Sequence, residues 1–202
     1  MNISAVLRQL PCLMFLQFLH ALLLLLPTLV LARSRAIEPA IVCFAVGILL
    51  AALLESAVVS QYAFAGHRPV RDKVAMRVAA LVGASVLATF WIAQIELQFN
   101  HVNSLAIQVL GAILLVLGVG LRVAAIRTLG PRFVSDIRVD SFVIRDGIYA
   151  WLRHPSEVGL LLIVAGGPLV LGSPITATVA TIVLLPVSRW RMHREDLVLS
   201  SL

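Results

Sequence analysis

DSFVIRDGIYAWLRHPSEVG, residues 140–159, is a polar, charge-bearing stretch in a chain that is otherwise nearly all hydrocarbon. A membrane protein can place irregular backbone and ionisable side chains at or near the bilayer only where protein or water satisfies them. A polar island beside apolar helices therefore marks a cavity. Two readings are open: an ordinary cytoplasmic loop, or a binding site whose lid is the loop itself.

Working outward, the composition sets the class. The 202 residues are 60% hydrophobic and only 13% charged, with a mean hydropathy of +1.01. Such a chain cannot make a soluble domain and reads as an integral membrane protein. The net charge of +6 and pI near 10.6 do not indicate nucleic acid. The arginines sit at the ends of apolar runs, where they act as topology signals and lipid-headgroup contacts. Cys12 and Cys43 lie inside apolar runs with no partner at metal-ligand spacing, so neither a disulfide nor a metal site is expected.

The first apolar run, Leu10 to Leu31, is too long for a signal-peptide core and is expected to be a retained helix, with Pro27 a candidate kink. Three further spans are expected at Ile37 to Ala65, Val74 to Leu97 and Ser104 to Ile126, each near or above the roughly 20 residues that cross a hydrocarbon core. Beyond the island come two shorter apolar runs, Val158 to Leu171 and Ile175 to Val187. Gly172-Ser173-Pro174 between them is a turn signal. The expected fold is thus an all-α integral membrane protein with four transmembrane helices, a cytoplasmic cofactor-binding loop and a short C-terminal helical hairpin. It forms a single membrane domain over residues 1–202, with the helices in 1–126 and the catalytic region in 127–202.

Basic residues give the orientation. The connection after the second run carries Arg68, Arg71, Lys73 and Arg77, whereas Gln98 to Asn103 has no Lys or Arg. The first connection is therefore expected in the cytoplasm, together with the amino terminus, the island and the terminal Arg189, Arg191 and Arg194. Arg33 and Arg35 on the opposite side count against this but are outnumbered. Among polar residues inside the apolar runs, Glu55 is a functional candidate or an interhelical hydrogen-bonding group. Glu96, Gln98 and His101 are expected at the interface.

Within the island, Gly130-Pro131 ends the fourth helix, Asp146-Gly147 is a turn pair, and Pro155 suits the first turn of the next helix because its missing N–H is not needed there. Arg153-His154-Pro155-Ser156-Glu157 then stands at a helix N-terminus, where free N–H groups favour an anion. The plainer account of His154 is an interfacial ring bonded to a backbone carbonyl. At the carboxyl end Arg191 and Glu195, four apart, share a helix face. They form either an i,i+4 ion pair or a guanidinium that holds a substrate and is oriented by Glu195.

These elements, in order, resemble the isoprenylcysteine carboxyl methyltransferases and their phospholipid and small-lipid methyltransferase relatives. The resemblance covers Arg122 to Leu199. It rests on Leu129-Gly130 with Phe133, on Val143-Ile144 and Gly147-Ile148-Tyr149, on Arg153-His154-Pro155-Ser156 with Gly159, and on Arg191 with Glu195-Asp196 and Leu199. It implies a methyltransferase that uses S-adenosylmethionine without a Rossmann domain and acts on a lipophilic acceptor, such as the carboxylate of a prenylated cysteine or a related oxygen. By that analogy Val143, Ile144, Gly147 and Tyr149 line the cofactor pocket, His154 and Pro155 contact it, Glu195 closes it, and Arg191 contacts the substrate.

The chain departs from the family pattern at two informative places. Ser141 or Asp140 stands where the family has a cofactor-contacting His, and Glu157 stands where it has Tyr. Glu157 is either a first-turn carboxylate that complements the helix dipole or a contact to the cofactor's sulfonium. A carboxylate acceptor needs no base, whereas a hydroxyl or amine acceptor needs Glu195, Glu157 or His154 as proton sink. The first two helices and a cleft beside the hairpin are expected to admit the acceptor from the bilayer. A sterol-reductase-like enzyme using a nicotinamide cofactor at the same island is the alternative enzyme. A transporter is the alternative outside enzymes, though its broken midplane helices are not seen in the sequence.

Overall fold

The computed structural model describes Leu19 and residues 22–31, 39–63, 73–99, 104–130 and 146–200. Its helices are α1 (Leu26–Leu31), α2 (Pro39–Ala63), α3 (Lys73–Phe99), α4 (Leu105–Leu129), α5 (Pro155–Val170) and α6 (Pro174–Ser200), with a 3-10 turn at Gly147–Ala150 ahead of α5. No strand occurs among the described residues. Much of the island, including Ser141, Val143 and Ile144, lies outside them, as do Cys12, Arg33, Arg35, Arg68, Arg71, His101 and the side chains of Cys43 and Glu55.

Two segments are long and apolar enough to cross a bilayer, Ala80–Phe99 within α3 and the whole of α4, matching the third and fourth expected spans. α2 runs for 25 residues where the second was expected. Of the first run, the described part begins in earnest at Leu22. The helical surfaces are oily: Leu81, Ile92, Leu105, Val116, Ile182 and Val183 all stand exposed, the pattern of a protein whose solvent on that side is hydrocarbon.

The expected kink near Pro27 has a visible cause. Helical structure breaks at Leu25, between Leu22–Leu24 and α1. Proline has no N–H to give the carbonyl four residues back, which is that of Leu23. That carbonyl instead accepts a hydrogen bond from Trp91 Nε1 on α3 at 2.9 Å. One turn on, buried Gln94 donates to Leu24 O at 2.8 Å and accepts from Thr28 Oγ1 at 2.6 Å. The kink thus supplies acceptors that fasten the first helix to α3. Around this fastening Leu24, Ile41, Phe44, Phe90, Ala93, Leu97 and Leu171 form one core cluster. Phe44 and Phe90 meet edge to face, 5.1 Å between centroids.

α4 and α5 pack backbone to backbone. A Cβ on Gly118 would lie 2.6 Å from Gly159 O, and one on Gly159 would lie 2.7 Å from Gly118 O. Seven residues away on each helix the contact repeats, with a Cβ on Gly166 2.7 Å from Gly111 O and one on Gly111 2.8 Å from Gly166 O. Small residues at this spacing let two helices approach where lipid offers no hydrophobic drive to associate them. The antiparallel register puts the start of α5 beside the end of α4.

The hairpin α5–α6 turns at Leu171–Ser173, as the Gly-Ser-Pro signal predicts, with Gly172 at φ +69°, a conformation that favours glycine. The second arm is not short, however. α6 continues past Val187 to Ser200, 27 residues in all. The apolar run ends at Val187 because the chain changes surroundings there, while the residues that follow remain good helix formers. The start of α6 is capped from another helix: Glu96 accepts from the N–H groups of Ile175 at 3.2 Å and Thr176 at 2.8 Å, and from Thr176 Oγ1. Glu96 is thereby a structural cap on the turn end of the hairpin.

Candidate functional site

At the other end of the hairpin, the first turn of α5 faces the last third of α6. His154 occupies the N-cap of α5 and Pro155 its first position, as expected for a residue without an N–H to place. The His154 side chain is 9% exposed, and both ring nitrogens are engaged. Nδ1 lies 3.0 Å from Glu195 Oε2 and Nε2 lies 3.1 Å from Asp196 Oδ1. Both nitrogens can donate only in the imidazolium. In agreement, the His154 pKa is raised, chiefly by its hydrogen bond to Glu195 and further by the charges of Glu195 and Asp196, against an opposing effect of burial. Arg153 Nε adds a second cation 3.1 Å from Asp196 Oδ1.

One helical turn further along the pair, a second crosspiece forms. Arg191 Nη1 lies 3.0 Å from Glu157 Oε1. His154 and Glu157 are three apart on α5, and Arg191 and Glu195 four apart on α6. Antiparallel helices therefore bring them together as two successive rungs. Arg191 pairs across the hairpin with Glu157, so the i,i+4 pair with Glu195 that spacing allows is not the one formed. The other Glu157 oxygen, Oε2, is buried without a hydrogen-bond partner among the described residues.

The 3-10 turn closes a third side. Gly147 has φ +59°, and a Cβ there would meet Thr128 Oγ1 at 3.0 Å, so the turn sits against the end of α4. Tyr149, carried by this turn, is half-buried. Burial, and then the charge of Glu195, push its pKa up to about 12. Arg122 on α4 donates from Nη1 to Ser156 Oγ at 3.4 Å.

The structure thus gathers Tyr149, His154, Pro155, Glu157, Arg191 and Glu195 about one end of the α5–α6 hairpin, with Gly147 at the adjoining turn. Ser141, Val143 and Ile144 lie outside the described residues. Sequence reasoning did not assign Asp196 as the second partner of His154, nor Arg153 and Arg122 as members of the cluster. Arg122 had a signal, since an arginine within an apolar span is a candidate by its location. A cleft of about 230 Å³ lined by Leu25, Leu29, Ile41, Val42, Val46 and Leu49 lies between α1 and α2. Ile41 shares its cluster with Leu97 and Leu171, which puts this cleft at the turn end of the hairpin, away from His154.

Apolar helices with one polar cluster of paired histidine, carboxylates and arginines define a membrane protein of the helical class. Over its carboxyl-terminal part, residues 110–201, the chain matches the isoprenylcysteine carboxyl methyltransferase (ICMT) family, and all the described cluster residues lie in that segment. Among curated proteins, the chain is 32% identical over 92 residues to the protein-S-isoprenylcysteine O-methyltransferase of Saccharomyces cerevisiae. That likeness covers 44% of this chain and 38% of the yeast protein's length. No solved structure matches the chain.

Proposed function

We propose that this chain is a membrane-embedded methyltransferase that moves a methyl group from S-adenosylmethionine to the head group of a lipophilic acceptor. The observation that carries the reading is the clamp of His154 between Glu195 and Asp196, formed by the two segments on which the family resemblance rests. The region 127–202 acts as the catalytic part of a single membrane domain, and its polar end faces the cytoplasm with both chain termini. The exposed Trp151 and Trp190, beside His154 and Arg191 in sequence, suit the interfacial belt of a bilayer at that level.

The residues present fit the cofactor. S-adenosylmethionine bears cationic sulfonium and ammonium groups and one carboxylate, and it supplies a methyl carbon already activated by its leaving group. Carboxylates and cations are both available here, in Glu195, Asp196, Arg153 and Arg191. Gly147, Tyr149, His154, Pro155 and Glu195 would hold it, with Ser141, Val143 and Ile144 completing the pocket. Glu195 and Asp196 fix the imidazolium of His154, and this locks the start of α5 to α6. Tyr149, held protonated, remains a hydrogen-bond donor over the whole physiological range. Displacement at a methyl carbon mainly requires alignment and exclusion of water, which rigid helices in close contact supply. The yeast relative is named for an isoprenylcysteine, and an acceptor with an isoprenoid or comparable hydrocarbon chain suits the oily helix surfaces of this chain.

The test is thermal protection of the detergent-solubilised protein by S-adenosylmethionine or by NADPH. Protection by the former, lost in His154→Ala, is the expected result. Protection by NADPH alone would replace this reading with the reductase. Membranes incubated with methyl-labelled cofactor should then yield labelled extractable lipid.

A further inference from the structure

Glu157 is 8% exposed, and its two oxygens are in different situations. Oε1 meets Arg191 Nη1, while Oε2 is fully covered and unpartnered among the described residues. A carboxylate oxygen without a donor bears its whole desolvation penalty, so such an atom is a place where a ligand donor is wanted. The other groups that could take a proton at this site each hold a charged neighbour through at least one atom. Both nitrogens of His154 are bound by carboxylates, contacts that also raise its pKa. Glu195 Oε2 and Asp196 Oδ1 hold that ring, and Asp196 also holds Arg153.

We propose that Glu157 Oε2 is the proton acceptor in methyl transfer, and that it selects a lipophilic acceptor with a hydroxyl head, phenolic or alcoholic, over one with a carboxylate head. The proposal rests on the methyltransferase reading above and narrows it. A carboxylate head would bring a second anion against Oε2, and the guanidinium that could have received it is already neutralised by Oε1. A hydroxyl head donates to Oε2 instead. As the acceptor's O–C bond forms, the C–S bond of the sulfonium breaks and its electron pair stays on sulfur. The hydroxyl proton passes to Oε2, leaving Glu157 a neutral carboxyl beside Arg191 until the proton departs to solvent. Methyl ether, neutral thioether and one proton account for all atoms and charge.

A matched pair of probes, 4-dodecylphenol and 4-dodecylbenzoate, differs only in the head. Binding of each to the cofactor-free protein in detergent is followed by thermal shift and tryptophan fluorescence, and transfer is followed with methyl-labelled S-adenosylmethionine. The phenol is expected to bind about tenfold more tightly than the benzoate and to be the one methylated. Glu157→Gln should abolish the binding preference and lower the rate of phenol methylation by about 100-fold or more, with protection by S-adenosylmethionine retained. Glu157→Tyr, also uncharged, carries the same two readouts should the Gln variant fail to fold. Equal or better methylation of the benzoate by the unaltered protein would overturn the proposal, as would an unchanged preference in the variants. In both of those cases cofactor protection persists and the methyltransferase reading stands. Absence of protection by S-adenosylmethionine in the unaltered protein would overturn both.

Discussion

Arg191 reaches 3.0 Å across the hairpin to Glu157, although Glu195 lies one turn away on its own helix. The choice follows from burial. Glu157 is nearly enclosed at 10% side-chain exposure, whereas Glu195 is half exposed and already holds His154. A guanidinium gains more from an enclosed carboxylate than from one that water can serve.

Removing one member of that pair should therefore cost more than removing both. Arg191→Ala leaves a buried carboxylate without its counter-ion and is expected to lower stability by about 2–3 kcal/mol. The double variant Arg191→Ala, Glu157→Leu should recover most of that loss. Denaturation in mixed micelles measures the cycle, and a double variant as unstable as the single one would show that the two side chains are not coupled.

The pKa of His154 is raised in the folded protein, so its ion pairs stabilise the fold most where the ring is charged in both states, below its ordinary value of 6.5. That contribution is lost as pH rises through the folded-state pKa. Thermal midpoints from pH 6 upward should decline in the unaltered protein, and His154→Gln should remove that part of the decline. Parallel curves for the two proteins would contradict the assignment.

The Tyr149 hydroxyl is held back to about pH 12. Absorbance titration near 295 nm should show a late-ionising component that disappears in Tyr149→Phe. A Tyr149→Phe protein with an unaltered curve would place the perturbed group elsewhere.

The glycine contacts between α4 and α5 make a sharp contrast with glycines elsewhere. Gly118→Ala and Gly159→Ala put a methyl into the facing backbone and are expected to cost about 1–3 kcal/mol. A Cβ on Gly83 meets nothing within 4 Å, so Gly83→Ala should be neutral or stabilising by up to about 1 kcal/mol. Thermal unfolding of the three proteins side by side checks the contrast.

Much of this architecture is legible in the chain because apolar runs and breakers are local signals. Leu105–Leu129 begins within a residue of where hydropathy places it, and Pro155 opens α5 where a proline costs least. The family motifs likewise pointed to His154, Arg191 and Glu195. What spacing could not give was partner choice. Arg191 has a compatible carboxylate one turn away, and only the antiparallel register with α5 offers it Glu157. A helix was expected at Arg191 to Glu195, but not its continuity with the apolar arm, because Arg189 to Asp196 end an apolar run without ending a helix. Glu96 was expected only at an interface, and nothing local ties it to N–H groups some 80 residues away.

Because Glu96 fastens the first turn of α6, that helix is a lever pinned at the end remote from His154. Separating the polar ends of α5 and α6 then demands no sliding of the whole helix. A tilt of a few degrees about the pinned end would be magnified along its length, parting Glu195 and Asp196 from His154 while the glycine-joined α4 and α5 stay still.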